Sequence, residues 1–228
     1  MLGRPILTQA DLANHRTQVG DISDVIWAPF YDSNSYVATT GHLNLNFFAL
    51  PQGQGTTSAP GASGTKTIAD TNLTAAGQLT KGNEFYMTGQ EMKFFPGVSP
   101  GTVQSNTVVG NFVNDVYVLG KSGVLTLQIG SNRNYIQDGP LEVFPPVTRL
   151  AVASALAGAT TGAATTTNMD EVTYAVWSGE PYSITPVYIE ATLGFQETIT
   201  WPATVTLPSG ANGRLQARLR GYLVRNAQ

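Results

Sequence analysis

Gly213-Arg214-Leu215-Gln216-Ala217-Arg218-Leu219-Arg220-Gly221-Tyr222-Leu223-Val224-Arg225 brings the chain to its end with a period of two. Successive side chains of a strand point to opposite faces, so Leu215, Ala217, Leu219 and Leu223 share one face and Arg214, Gln216, Arg218, Arg220 and Tyr222 the other. One face is suited to burial, the other to an acidic partner. The arginines follow sixty-four residues, 150–213, that contain no Lys or Arg, so positive charge is sorted toward the C-terminal end.

Outward from this segment, short β-like runs recur at 25–30, 43–50, 84–95, 112–119, 124–129 and 141–144, then at 172–177, 182–190, 193–201 and 203–207. Gly and Pro punctuate them, and with the closing segment they make about eleven strands. The clearest alternation, Leu43-Asn44-Leu45-Asn46-Phe47, Val124-Leu125-Thr126-Leu127-Gln128-Ile129 and Tyr182 to Ile189, reads as antiparallel sheet with one face toward a core. The expected fold is all-β, an antiparallel jelly-roll β-sandwich with inserted strands, long loops and a short N-terminal arm or helix. Residues 1–20 form the arm and 21–228 the jelly-roll domain, with any internal boundary near 145–170, where Pro145-Pro146 interrupts the chain. The alanine-rich run 147–156 reads as a helix, with a strand as the alternative. Residues 51–66 and 156–168, composed of small polar side chains, read as low-complexity loops.

Composition narrows the chemistry. Charged residues make up 12% of the chain, against about a quarter in soluble domains generally, so Ser, Thr, Asn, Gln and Gly must dress much of the surface. Such a surface suits close packing against neighbours. The absence of Cys removes disulfides, thiolate metal sites and Cys nucleophiles together. No run approaches the roughly 18 apolar residues of a membrane-spanning helix, and no long apolar core follows Arg4 as a secretory leader would require. The triplet Asn72-Leu73-Thr74 matches a glycosylation acceptor but lacks a secretory context.

His15 and His42 are the only histidines, and neither has a partner at metal-pair spacing. Paired acids for glycoside hydrolysis would come from Asp170, Glu171, Glu180, Glu190 and Glu197, of which Glu190 and Glu197 flank Gly194 as if across a hairpin. Adjacent Asp170 and Glu171 point to opposite faces of a strand and do not share a site. Glycines 110, 120, 123 and 130 are scattered rather than gathered into a phosphate cradle. Segment 132–139 carries one carboxylate and a central Arg133, which makes a turn a better reading than a calcium loop. The expectation is a protein without catalytic, cofactor or metal residues. Aromatics at Trp27, Phe30 and Tyr31, at Phe85-Tyr86, at Phe94-Phe95, and at Tyr174, Trp177 and Tyr182 offer a second reading, a non-catalytic β-sandwich module that binds carbohydrate through exposed rings.

The arm at 1–20, the Thr/Gly/Ala loops at 51–66 and 156–168 and the closing strand 213–225 together resemble the jelly-roll capsid proteins of icosahedral viruses, particularly those of tailless bacteriophages. The resemblance covers most of residues 20–225 and lies in architecture rather than in a motif, so it transfers no functional residue. It implies a structural virion protein, made in the host cytoplasm and located in the virion, that self-assembles into an icosahedral shell. Its partners would be copies of itself and other virion proteins. Genome contact is the weaker expectation, because the arm holds only Arg4, His15 and Arg16 against Asp11 and the chain carries a net charge of −3. Arg214, Arg218 and Arg220 are then expected to meet the carboxylates of Asp170 and Glu171, in the same or a neighbouring subunit. Charge reversal at Arg218 should on that reading impair assembly more than folding.

Overall fold

The computed structural model describes residues 22–59, 62–97, 106–130, 135–144 and 182–226, which hold nine strands, one α-helix and one 3-10 turn. The arm 1–20, the run 147–156, the loop 156–168, the segment 172–177 and residues Asp170 and Glu171 lie outside the described residues.

The closing segment is the spine of the molecule. As β9 (Gly213–Asn226) it pairs on one side with β1 (Ile22–Trp27) and β2 (Phe30–Tyr36), placed end to end, and on the other with β4 (Asn83–Phe95). Strand β4 pairs in turn with β7 (Tyr182–Ile189), completing a five-stranded sheet. The second sheet runs β3 (Asn44–Phe47), β8 (Phe195–Thr200), β5 (Val124–Ile129), β6 (Tyr135–Pro140). Every pairing in both sheets is antiparallel. When β1 and β2 are taken as one strand broken at Ala28-Pro29, the pairs nest: β1/β2 with β9, β3 with β8, β4 with β7, β5 with β6. Proline, which has no N–H for the ladder, accounts for a break at that point.

Burial follows the alternation read from the sequence. Leu215, Ala217 and Leu219 are buried, and with Phe85, Met87 and Ile189 they join Phe47, Leu125, Leu127, Phe195 and Ile199 of the second sheet in one apolar cluster. Removing one such ring, Phe85 for example, costs about 3–5 kcal/mol through lost burial and the cavity left behind. Strand β4 keeps its apolar residues on this face only through a bulge between Met87 and Gly89. Phe85 and Met87 are out of phase with Met92 and Phe94, and one extra residue restores the phase. The same step turns Gln90 inward and Glu91 and Lys93 outward.

Several expected strands take other forms. Residues 112–119 belong to α1 (Asn106–Ser122), in which Phe112, Asp115 and Leu119 are buried at helical spacing and Val116 packs against the core. Its β-branched valines imitate a strand, but the burial period is near 3.6. The helix is also tied at its end: the Trp201 indole donates to the Leu119 carbonyl (3.1 Å) and the Ser209 amide donates to Asp115 (2.9 Å). Residues 203–207, between Pro202 and Pro208, run without a ladder; the Tyr36 hydroxyl donates to the Val205 carbonyl (2.6 Å) and the Leu207 amide to the Ala38 carbonyl (2.9 Å). Residues 141–143 form the 3-10 turn, and β3 is shorter than the 43–50 run. Strand β2, Phe-Tyr-Asp-Ser-Asn-Ser-Tyr, is too polar for an apolar pattern to reveal, and β6 occupies most of what reads as a turn at 132–139.

The loop 51–66 is pinned by two carboxylates. Asp32 on β2 accepts from Lys66 Nζ (2.7 Å) and from the Phe48 amide (2.7 Å), with both charged side chains almost wholly buried. Asp70 accepts from the Ser58 amide and hydroxyl, the Thr57 hydroxyl and the Thr67 amide. These donors outweigh burial and hold Asp70 down at about 2.

Candidate interaction surface

The outer face of the five-stranded sheet carries the basic residues that the sequence singles out. Glu91, opposite Arg218 in the β4–β9 register, is fully buried and lies 2.8 Å from Arg220, 3.4 Å from Arg218 and 3.9 Å from Lys93. Three cations share one carboxylate. Desolvation, then the neighbouring Arg218, lowers the pKa of Lys93, only partly countered by Glu91. Arg218 also donates to Gln216 Oε1 (2.7 Å), and Gln216 donates to Ser33 Oγ (3.0 Å). Arg214 donates to the same Ser33 Oγ (2.9 Å) and to the Ala69 carbonyl, and its guanidinium lies 5.7 Å from the Phe95 ring centre.

Among the described residues, the carboxylate that Arg218 and Arg220 meet is thus Glu91, within the same chain. Sequence reasoning missed it because it searched the acidic stretch after residue 170, whereas the match lies on a strand neighbour some 130 residues earlier in the chain. A signal existed: Glu91 and Lys93 fall on the polar phase of β4 once the bulge is counted. Asp170 and Glu171, the expected partners, fall outside the described residues.

Beside the basic cluster, four aromatic residues stand in lateral register on adjacent strands: Trp27 opposite Tyr222, Tyr222 opposite Tyr86, and Tyr86 opposite Tyr188. Trp27 and Tyr222 meet edge to face at 4.9 Å and 73°, and Tyr86 and Tyr188 are tilted at 5.1 Å and 43°. Trp27 is 44% exposed. Two residues further along the strands lie Glu84 and exposed Glu190. Burial, together with the hydrogen bond to Glu84 and the charges of Glu84 and Glu190, pushes the Tyr188 phenol far above its usual range.

Of the remaining titratable candidates, His15 and Glu180 lie outside the described residues, and the described ones stand apart from one another. Strands β7 and β8 belong to different sheets, so Glu190 and Glu197 do not face each other across a hairpin. Glu190 is exposed, whereas Glu197 is wholly buried between the sheets and accepts from Gln90 Nε2 at 2.6 Å. Burial pushes Glu197 up to about 8, so it carries its proton at neutral pH. His42 accepts from the Val37 amide (3.2 Å) and its ring lies 4.9 Å from Tyr36, with burial lowering its pKa. A depression of about 540 Å³ at one end of the molecule is lined by Gln78, Gln128, Gln196, three glycines and neighbours that include Leu193 and Phe195, without a titratable side chain. Among the described residues no three acids, histidines or cysteines gather as a metal set, and no helix is long and apolar enough to cross a membrane.

Compared with known proteins, the chain matches no family model, no curated protein and no solved structure.

Proposed function

We propose that this chain is a structural virion protein, a jelly-roll subunit that self-assembles into an icosahedral shell and acts without catalysis. The observation that carries the reading is the nesting of the strand pairs. A long antiparallel hairpin of four nested pairs, rolled up so that successive pairs alternate between two sheets, gives the eight-stranded jelly roll of viral capsid proteins, lectins and cupins. The pairings β1/β2–β9, β3–β8, β4–β7 and β5–β6 have that order.

Fold alone does not choose among these classes, so the choice rests on the residues. With two histidines in the whole chain, one on the arm, the residues do not suit a metal-binding cupin. Sparse charge, a neutral Gly and Gln surface at one end of the sandwich, and the exposed Gly53, Gln54, Gly55 and Thr56 of the loop 51–66 favour contact with many copies over capture of a charged ligand. Sedimentation of the purified protein across salt and pH tests this: large closed species are expected, and a strict monomer under all conditions removes the reading.

The second reading, a carbohydrate-binding module, draws on the aromatic row at Trp27. Its weakness is geometric. A pyranose stacks on a flat ring face, and the rings here meet at 73° and 43° rather than lying coplanar.

A further inference from the structure

We propose that the outer face of the five-stranded sheet is a self-complementary contact, through which two copies of this chain pair about a two-fold axis lying along the row Trp27, Tyr222, Tyr86 and Tyr188. The inference deepens the assembly reading and rests on it. At the usual strand spacing of about 4.8 Å, the row runs some 14 Å across four strands. It divides the face by charge. On one side, two residues along, stand Glu84 and Glu190; on the other stand Arg220, Arg218 and Lys93 around Glu91.

Two sheets that pack face to face by a two-fold operation must have the axis in the plane of contact, and each residue then meets its counterpart reflected across that axis. An axis parallel to the strands would set the acidic side of one copy against the acidic side of the other. An axis along the aromatic row instead reverses the strand direction, so the acidic side of one copy lies over the basic side of the other, while ring meets ring. The charges also match in sign: among the described residues Arg218, Arg220 and Lys93 outnumber the one carboxylate, Glu91, that they share, and the second copy brings its acidic side over them.

Other occupants fit less well. A single-stranded nucleic acid draws its affinity from phosphates neutralised along the path of the strand, whereas Arg218, Arg220 and Lys93 gather on one side of the row around Glu91. Two carboxylates beside the row would repel the same phosphates. A glycan meets the edge-on rings described above.

The chain contains no cysteine, so a single introduced thiol reports cleanly. Residues on the axis meet their own copies, and Trp27→Cys places a thiol there. Stacked sheets lie about 10 Å apart, beyond disulfide reach, so a short bis-maleimide is the appropriate cross-linker. Covalent dimer should form at least tenfold faster from Trp27→Cys than from Ile68→Cys, a control on a residue 61% exposed and away from the row. In the otherwise native chain, Glu190→Lys alters an exposed residue and should weaken pairing at least tenfold by sedimentation. If the native chain assembles but Trp27→Cys cross-links no better than Ile68→Cys, or Glu190→Lys assembles as the native chain does, this contact is wrong and the assembly reading stands. If the native chain is monomeric throughout and Trp27→Cys does not cross-link, both fail. A covalent Trp27→Cys dimer in a protein that forms no shell upholds the contact alone. Trp27-dependent binding of oligothymidine or of a glycan by a monomer overturns the contact in favour of another occupant.

Discussion

Replacing Glu197 by Gln should make the protein more stable at pH 8 and change it little at pH 5. The native carboxyl is wholly buried between Leu127 and Phe47 of its own sheet and Gln90 of the facing one, and its pKa rises from 4.5 to about 8. A carboxyl with a raised folded-state pKa binds its proton more tightly when folded, so unfolding releases a proton between the two values. Stability therefore falls as pH rises from about 4.5 to about 8 and is level beyond, with a slope of up to roughly 1.4 kcal/mol per pH unit and a total of up to roughly 5 kcal/mol. The protonated form also completes the local hydrogen bonding. Glu197 Oε2 and Gln90 Oε1 have no partner, and a proton on the former gives it a hydrogen to donate to the latter. The Glu197→Gln side chain has no proton to lose and offers an amide donor instead. Urea unfolding of both proteins at pH 5, 6, 7 and 8 measures the difference. Asp32 and Asp115, also raised by burial, contribute to both curves and drop out of the comparison. Parallel stability curves for the two proteins across this range would refute the reasoning.

Lys66→Met should destabilise the fold by about 3–5 kcal/mol, because it leaves Asp32 buried without its 2.7 Å partner; urea unfolding reads the loss, and limited proteolysis should then cut within 51–66. Gly221→Ala places a Cβ 1.9 Å from the Tyr86 carbonyl oxygen, so β4 and β9 must separate; a loss of about 3 kcal/mol or more is expected, and a variant as stable as the native chain would contradict the register. Arg218→Glu sets a second carboxylate against buried Glu91, so folding itself should fail, with insoluble product rather than soluble unassembled subunits. This reverses the expectation from sequence alone, under which assembly suffers before folding.

The parts of the fold that the sequence reveals are those in which one physical signal acts alone. In β5 and β9, alternation places apolar side chains on the core face, and the chain is buried as that pattern says. Where a second requirement intervenes, the signal weakens. Helix α1 is rich in valine, a strand former, yet its buried positions repeat at helical spacing. Strand β2 buries Asp32 and Ser33 because the loop ending in Lys66 and the side chain of Gln216 come to meet them, contacts between residues far apart in the chain. The candidate surface is half legible. The arginine face of β9 is read directly, but its carboxylate partner depends on which strand lies beside β9 and on the bulge that turns Glu91 outward. The aromatic row has no sequence signature, since its four members lie on four strands and align only through register.

Electron microscopy of the purified protein tests the central claim most directly. Closed shells of uniform diameter, or the rings and arcs of incomplete ones, are the predicted result; fields of dispersed single subunits across protein concentration, salt and pH would contradict it.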